Sequence, residues 1–349
     1  MLRLLTAGES HGRGLVAILD GFPAGVPIDP AKINAELKRR QMGFGRGKRM
    51  QIESDTCQII SGVRKSKSSG GPLSLLVENR DFRIDKIEKV VCPRPGHADL
   101  AGLLKYGFED IRDVLERASA RSTAATVAAG AVCKQFLAQF RISVASHVIS
   151  IGGETSHEAR IARIQQAMDA KDTVGGIFEI RIEGVPVGLG SYVQSDRRLD
   201  ARLAAAVVGI PGVKSFEIGL GAGYAEVFGS HVHDAIYYSR QKGFYRQTNN
   251  AGGIEGGISN GEDIVLRACM KPIATLLKPL DSVNIVNAKA SKAAVERSDI
   301  CAVESAGVVA ESACAFVLCQ AFLDKFGEDS LADIKDNLAS FLRRIKKTC

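Results

Sequence analysis

Arg117-Ala118-Ser119-Ala120-Arg121-Ser122-Thr123-Ala124-Ala125-Thr126-Val127-Ala128-Ala129-Gly130-Ala131-Val132-Cys133 begins with two arginines and small hydroxyl residues, then continues as a run of small and apolar side chains. A helix with no polar face is buried all round. The Ala-rich pattern over 111–140 therefore predicts one long helix packed closely against its neighbours. Arginines four residues apart share a helical face. Arg117 and Arg121 read equally as an anion cradle or as a pair snorkelling near the helix start.

Around this segment the pattern alternates. Asp29-Pro30 supplies an N-cap and a proline at the first helical position, Ile33 and Leu37 follow at helical spacing, and Gly43 stops the run, which predicts a helix over 30–41. Further helices are expected at 157–171, 197–208, 303–325 and 331–346. Strands are expected at 51–63, 72–78, 143–151, 177–184, 213–219, 262–270 and 282–288. The strands fall in groups rather than in strict βα pairs. With no internal repeat and no Pro/Ser-rich linker, the whole of 1–349 reads as one large domain.

Composition narrows the function. A chain of 349 residues, 45% hydrophobic and 24% charged, is neither disordered nor collagen-like. The longest apolar stretch, Ala124–Cys133, is mostly alanine and falls short of the ~18 residues a membrane span needs. Glu9, His11 and Arg13 interrupt any N-terminal signal, so a cytoplasmic protein with no membrane partner is expected. Eight cysteines form no Cys-x-x-Cys and sit mostly in apolar stretches, which favours buried thiols over disulfides or zinc. The net charge of +7 calls for anions. Without tryptophan or basic segments interleaved with aromatics, small phosphates are favoured over nucleic acid.

Several motifs could carry chemistry. Lys38, Arg39, Arg40, Arg46, Lys48 and Arg49 crowd a Gly-rich connection, where arginine forks suit phosphate and carboxylate oxygens. Gly43-x-x-x-Gly47-Lys48 is one residue short of a phosphate loop and is followed by Arg49, so a nucleotide triphosphatase is excluded. Gly219-x-Gly221 lacks the third glycine of the dinucleotide fingerprint. His11, between glycines, and His97, after Pro95-Gly96, are each presented on a turn as an acid or base needs to be, although either alone reads more readily as a surface-loop histidine. His231-Val232-His233 offers two ligands from one strand with nothing to complete a metal site, so no metal is expected.

Together these segments resemble the chorismate synthase family over nearly the whole chain. The resemblance is carried by Gly8-Glu9-Ser10-His11-Gly12, Asp20–Gly25, Arg94-Pro95-Gly96-His97-Ala98-Asp99, Arg117–Arg121, Ala251–Ser259, Lys271-Pro272 and Arg297-Ser298-Asp299. It implies an α+β sandwich with helices packed between antiparallel sheets, a homotetramer, and a lyase. The implied substrate is 5-enolpyruvylshikimate 3-phosphate, the products are chorismate and phosphate, and reduced FMN is obligatory in a 1,4-elimination without net oxidation. NADPH or a separate flavin reductase would supply the electrons.

The resemblance also implies roles. His11 would be the general acid at the leaving phosphate, His97 would stand beside the flavin's pyrimidine edge, and Asp299 would manage a proton at its reactive nitrogen. Ser10, Arg40, Arg46, Arg94 and Arg121 would surround the substrate or NADP. Arg117, Ala118, Ser119, Pro211, Gly212, Gly256, Lys271, Pro272, Ile273, Ala274, Thr275 and Arg297 would contact FMN. The chain departs from the family at Ala118 and Ser122, where a serine and a glutamate are usual, at Asn250, and at Ser298 and Ile300 in place of His and Pro. Two other classes remain open at this point: an FMN oxidoreductase using the same pocket for hydride transfer, and a basic nucleic-acid-binding scaffold.

Overall fold

Alternating burial marks two four-stranded antiparallel sheets in the computed structural model, which describes residues 1–47, 54–296 and 298–346. The first sheet has the order β1 (Arg3–Ala7), β2 (Gly14–Asp20), β4 (Leu73–Glu78), β3 (Cys57–Ser61). Leu15, Ala17 and Leu19 of β2 and Leu73, Leu75 and Val77 of β4 are buried, while their neighbours in sequence face outward. The second sheet has the order β5 (Ser143–Ile151), β6 (Gly176–Glu183), β8 (Ile264–Met270), β7 (Val213–Ile218). Phe178, Ile180 and Ile182 on β6 and Ile264, Leu266 and Ala268 on β8 form its inner face.

Between the sheets lie α1 (Pro30–Gln41), α4 (Thr123–Ala138) and α7 (Val303–Phe326). Around them are α2 (Asp99–Tyr106), α3 (Arg112–Ala118), α5 (His157–Asp169), α6 (Leu199–Val208) and α8 (Leu331–Lys346). This is the expected α+β arrangement. Helix α4 packs on the first sheet and α7 on the second, and the two helices pack on each other. Their separation is set by Gly130, where an added Cβ would stand 2.3 Å from the Ser312 Cβ. One apolar cluster runs continuously through both sheets and the central helices. Eighteen-residue hydropathy in α7 reaches 1.8, enough by length and composition to cross a membrane, yet 83% of that window is buried against α1, α4, α6 and the second sheet. It is the helix expected over 303–325, and isolated charges, Glu304 and Glu311 among them, break its apolar run.

Charges inside the sandwich are cross-linked. Glu311 on α7 is fully buried and accepts from Arg39 Nη2 at 2.8 Å, Lys134 Nζ at 2.5 Å and Ser146 Oγ at 2.6 Å, joining α1, α4, α7 and β5. Burial works against its charge, but these donors hold its carboxyl below the ordinary value. Arg39, grouped by sequence with the loop cations, is thus spent on the buried Glu311 while part of its side chain stays exposed. Cys57, Cys133, Cys301, Cys314 and Cys319 are buried free thiols, and burial pushes Cys57 and Cys314 up to about 12 and Cys301 up to about 11.

Three expectations are corrected. The helix over 111–140 is broken: Ser119 adopts ψ 141°, ending α3, and a 3-10 turn at Ala120–Ser122 leads into α4. The Ser119 side chain accepts from Arg121 N and donates to Ser10 Oγ, local bonding that competes with helix continuation. The strand at 282–288 is a hairpin of Asp281–Val283 with Ala290–Lys292, turned by Asn284 and Ala288 at φ 55°. His231 and His233 lie on and just after a single helical turn, Gly229–Val232, rather than on a strand. Lys48, Arg49 and the start of the strand expected at 51–63 lie outside the described residues.

Candidate active site

Where the Ser119 break turns the chain, a cavity of about 650 Å³ opens against the start of α4. Arg40, Arg46, Arg83, Arg94, Arg112, Arg121 and Lys271 line it, against two carboxylates, Glu296 and Asp299, among the described residues. Ser10, His11 and His97 share its wall, so two histidines 86 positions apart in sequence meet one hollow.

The floor is a buried pair of guanidiniums. Arg40 projects from the last turn of α1 and donates from Nε to Thr123 Oγ1 at 2.9 Å, from Nη2 to Ala120 O at 3.1 Å and from Nη1 to Asp55 Oδ2 at 3.3 Å. Arg121 donates from Nη1 to Asp55 Oδ1 at 2.6 Å and from Nε to Asn79 Oδ1 at 2.8 Å. Burial lowers Arg40 to about 10; Asp55 opposes this and the cations Arg121 and Arg46 add to it. Arg40 still carries its charge at neutral pH. Asn79 in turn donates to the carbonyls of Glu9, Ser10 and Gly12, so the same amide fixes Arg121 and the loop that presents His11.

His11 is held from the side. Its Nδ1 lies 2.9 and 3.1 Å from the two carboxylate oxygens of Glu116 on α3, and its backbone N–H donates to the same group at 2.7 Å. Burial disfavours the Glu116 charge, but the His11 bonds and Arg112 keep its carboxyl below the usual range. His97 is held in the same manner, with Nδ1 2.5 Å from Asp99 Oδ1. Asp99 is fully buried; despite that burial, His97 and Arg94 depress its carboxyl well below the ordinary value. Arg94 spends Nε and Nη2 on Asp99 and Nη1 on Thr275 Oγ1 at 2.8 Å, so it positions the histidine loop as much as it faces the cavity.

Two segments distant in sequence meet at one wall. Asp299 Oδ2 pairs with Arg46 Nη1 at 2.8 Å and Oδ1 accepts from Gly47 N at 2.6 Å, while Ile300 N donates to Gly45 O. Arg46 Nε is buried and has no hydrogen-bond partner among the described residues. An anion entering here would meet an unsatisfied donor.

The expected flavin contacts divide. Ala118, Ser119, Pro211, Gly212 and the run Lys271, Pro272, Ile273, Ala274 and Thr275 all line the cavity. Lys271 N donates to Gly212 O at 2.9 Å, and Lys271 Nζ donates to Gly96 O, which ties these walls to the His97 loop. Arg117 and Gly256 do not line the cavity. With the helix broken at Ser119, Arg117 parts from Arg121 and bonds Thr6 and Gly8 on the exposed side of α3. Gly256 forms the exposed tip of the hairpin Ile254–Glu255 and Ile258–Ser259. Arg297 lies outside the described residues. The sequence reading missed Asp55 and Asn79, each isolated from the quoted motifs, Glu116, which directly precedes the Arg117 motif, and Arg112; the one signal available was the i,i+4 spacing of Arg112 and Glu116.

The family described as "Chorismate synthase" matches residues 2–323. Relatives named chorismate synthase include those of Caldanaerobacter subterraneus subsp. tengcongensis and Thermoanaerobacter pseudethanolicus, each 53% identical over 348 residues and covering 99% of both chains. That of Alkaliphilus metalliredigens is 50% identical, covering 98% of this chain and 99% of its own. A solved structure titled "Crystal Structure of Chorismate Synthase" superposes with a TM-score of 0.82 at 39% identity, covering 99% of this chain and 98% of that one.

Proposed function

Since the chain belongs to the chorismate synthase family, whose members close the shikimate pathway, we propose that it converts 5-enolpyruvylshikimate 3-phosphate to chorismate and phosphate by 1,4-elimination with reduced FMN bound. One observation carries the reading: His11 and His97 open onto a single cavity floored and walled by arginines. A substrate with two carboxylates and a phosphate leaves water only where several cations replace its hydration.

Within that cavity Arg40, Arg46, Arg94 and Arg121 bind and orient the anionic groups, and His11 gives a proton to the departing phosphate. Ala118, Ser119, Pro211, Gly212 and the Lys271–Thr275 run fit a flat, phosphorylated cofactor, since they line the cavity with backbone and small side chains beside a lysine, and Lys271 N donates to Gly212 O. Reduced FMN, when bound there, supplies the electron-rich neighbour that eases C–O cleavage. His97, with Asp99 behind it, faces the cofactor edge, and Asp299 holds or moves a proton nearby. NADPH or a separate reductase delivers the electrons, and the chain works as one domain within a homotetramer; the unbroken core supports the domain reading.

The test is anaerobic incubation with photoreduced FMN and the enolpyruvyl substrate. Phosphate and chorismate are expected in equal amounts, and absence of both at every FMN concentration refutes the proposal. Oxidation of NADPH by the purified protein with FMN alone separates an intrinsic reductase from dependence on another enzyme.

A further inference from the structure

Glu116 is a buried carboxylate that the reaction scheme above does not use. We propose that Glu116, backed by Arg112, is a positioning residue that fixes the His11 imidazole by Nδ1 so that proton exchange with a ligand runs through Nε2. The inference rests on the reading of His11 as the acid at the leaving phosphate.

Three contacts from one residue lock His11 to α3. The Glu116 carboxylate takes both the ring Nδ1, at 2.9 Å, and the backbone N–H, at 2.7 Å, while the Glu116 carbonyl accepts from Ser10 N at 2.9 Å. An acceptor-only group at Nδ1 selects the form protonated on that nitrogen in both charge states of the ring. When the proton leaves Nε2 for a phosphate oxygen, the Nδ1–H bond persists and Glu116 stays ionised.

Arg112 stands behind the same carboxylate. Its Nη1 is 3.8 Å from Glu116 Oε1, and its Nη2 donates to Glu296 Oε1 at 2.8 Å and to Glu88 O at 3.3 Å. Its Nε and Nη1 are buried with no hydrogen-bond partner among the described residues. A guanidinium held this close, with unspent donors, keeps Glu116 from taking the Nδ1 proton and moderates its pull on the ring. The other charges nearby are Arg83, whose backbone N–H donates to His11 O and whose side chain pairs with Asp81, Glu9 in the His11 loop, and Arg117 on Gly8 O. None of these bonds reaches the Glu116 carboxylate.

Two variants test this. Glu116→Gln keeps the shape but presents an amide donor to Nδ1; kcat is expected to fall about 10²-fold with KM little changed. In proton NMR of the protein without flavin or substrate, the far-downfield ring N–H resonance of His11 is expected in the wild type and absent from this variant. Arg112→Met leaves that bond in place, so the resonance should remain while the alkaline limb of the kcat profile moves to higher pH. Retention of the resonance and of wild-type kcat in Glu116→Gln overturns the proposal, and an unmoved pH profile in Arg112→Met removes Arg112 from it. The NMR arm needs no turnover, so a failure of the proposed reaction is distinguishable from a failure of the positioning role.

Discussion

Replacing Asp55 by asparagine preserves the outline of the cavity floor and removes the charge that two guanidiniums share. Asp55 is fully buried on its side chain, and Arg121 and Arg40 are 2% and 3% exposed, so water screens little of the interaction. Removing one partner of a buried ion pair costs about 3–5 kcal/mol. With an unfolding entropy of about 2.1 cal/mol/K per residue, the whole chain has about 0.7 kcal/mol/K, and Tm should fall by about 4–7 °C. The uncompensated cations should then draw harder on an added anion, so inorganic phosphate should raise the Tm of Asp55→Asn by more than it raises that of the wild type. Scanning calorimetry at fixed protein concentration, with and without phosphate, reads both effects. A variant melting within about 1 °C of the wild type, with the same phosphate response, refutes the account of the floor as a charge cluster awaiting an anion.

His11→Ala should lower kcat by roughly 10²–10⁴-fold with flavin affinity nearly unchanged, measured by steady-state rates alongside flavin titration. Asp99→Asn should be less stable than the wild type at neutral pH. Because the folded Asp99 carboxyl titrates below its unfolded value of 3.8, its contribution is complete above that value and is lost as pH falls through the folded one, so urea melts should show the gap closing below about pH 4. Gly130→Ala should destabilise by about 1–3 kcal/mol, since the new methyl meets the Ser312 Cβ, although alanine in a helix otherwise gains about 0.5–1 kcal/mol; denaturant midpoints would show the sign.

Elements governed by short-range rules were readable. Asp29 caps α1 through its bond from Ala31 N, and the alternation in β6 and β8 matches the sandwich face. The Ser119 break was not readable, because its partner Ser10 lies 109 positions away and only the folded chain brings the hydroxyls together. The hairpin spanning 281–292 is hidden for a related reason: apolar Val283, Ile285 and Val286 look strand-like, while the turn depends on backbone bonds in which Asn284 N donates to Lys289 O and Ala288 N donates to Asn284 O. Among site residues, His11, His97, Arg40, Arg46 and Arg121 lay in recognisable motifs. Their counter-charges Asp55 and Glu116 did not, since a lone carboxylate acquires meaning only from what folds against it. Arg117 was assigned by spacing to a face that the broken helix does not present.

The start of α4 at the cavity has an electrostatic meaning of its own. The peptide dipoles of a 16-residue buried helix add up to about half a positive charge at its first turn, where Thr123 meets Ala120 and Arg121. That half charge belongs to the main chain: it does not titrate, cannot swing aside and survives every side-chain substitution. Stripping the arginines one at a time will therefore leave a residual attraction for anions, and the backbone's share is what remains when the last of them is gone.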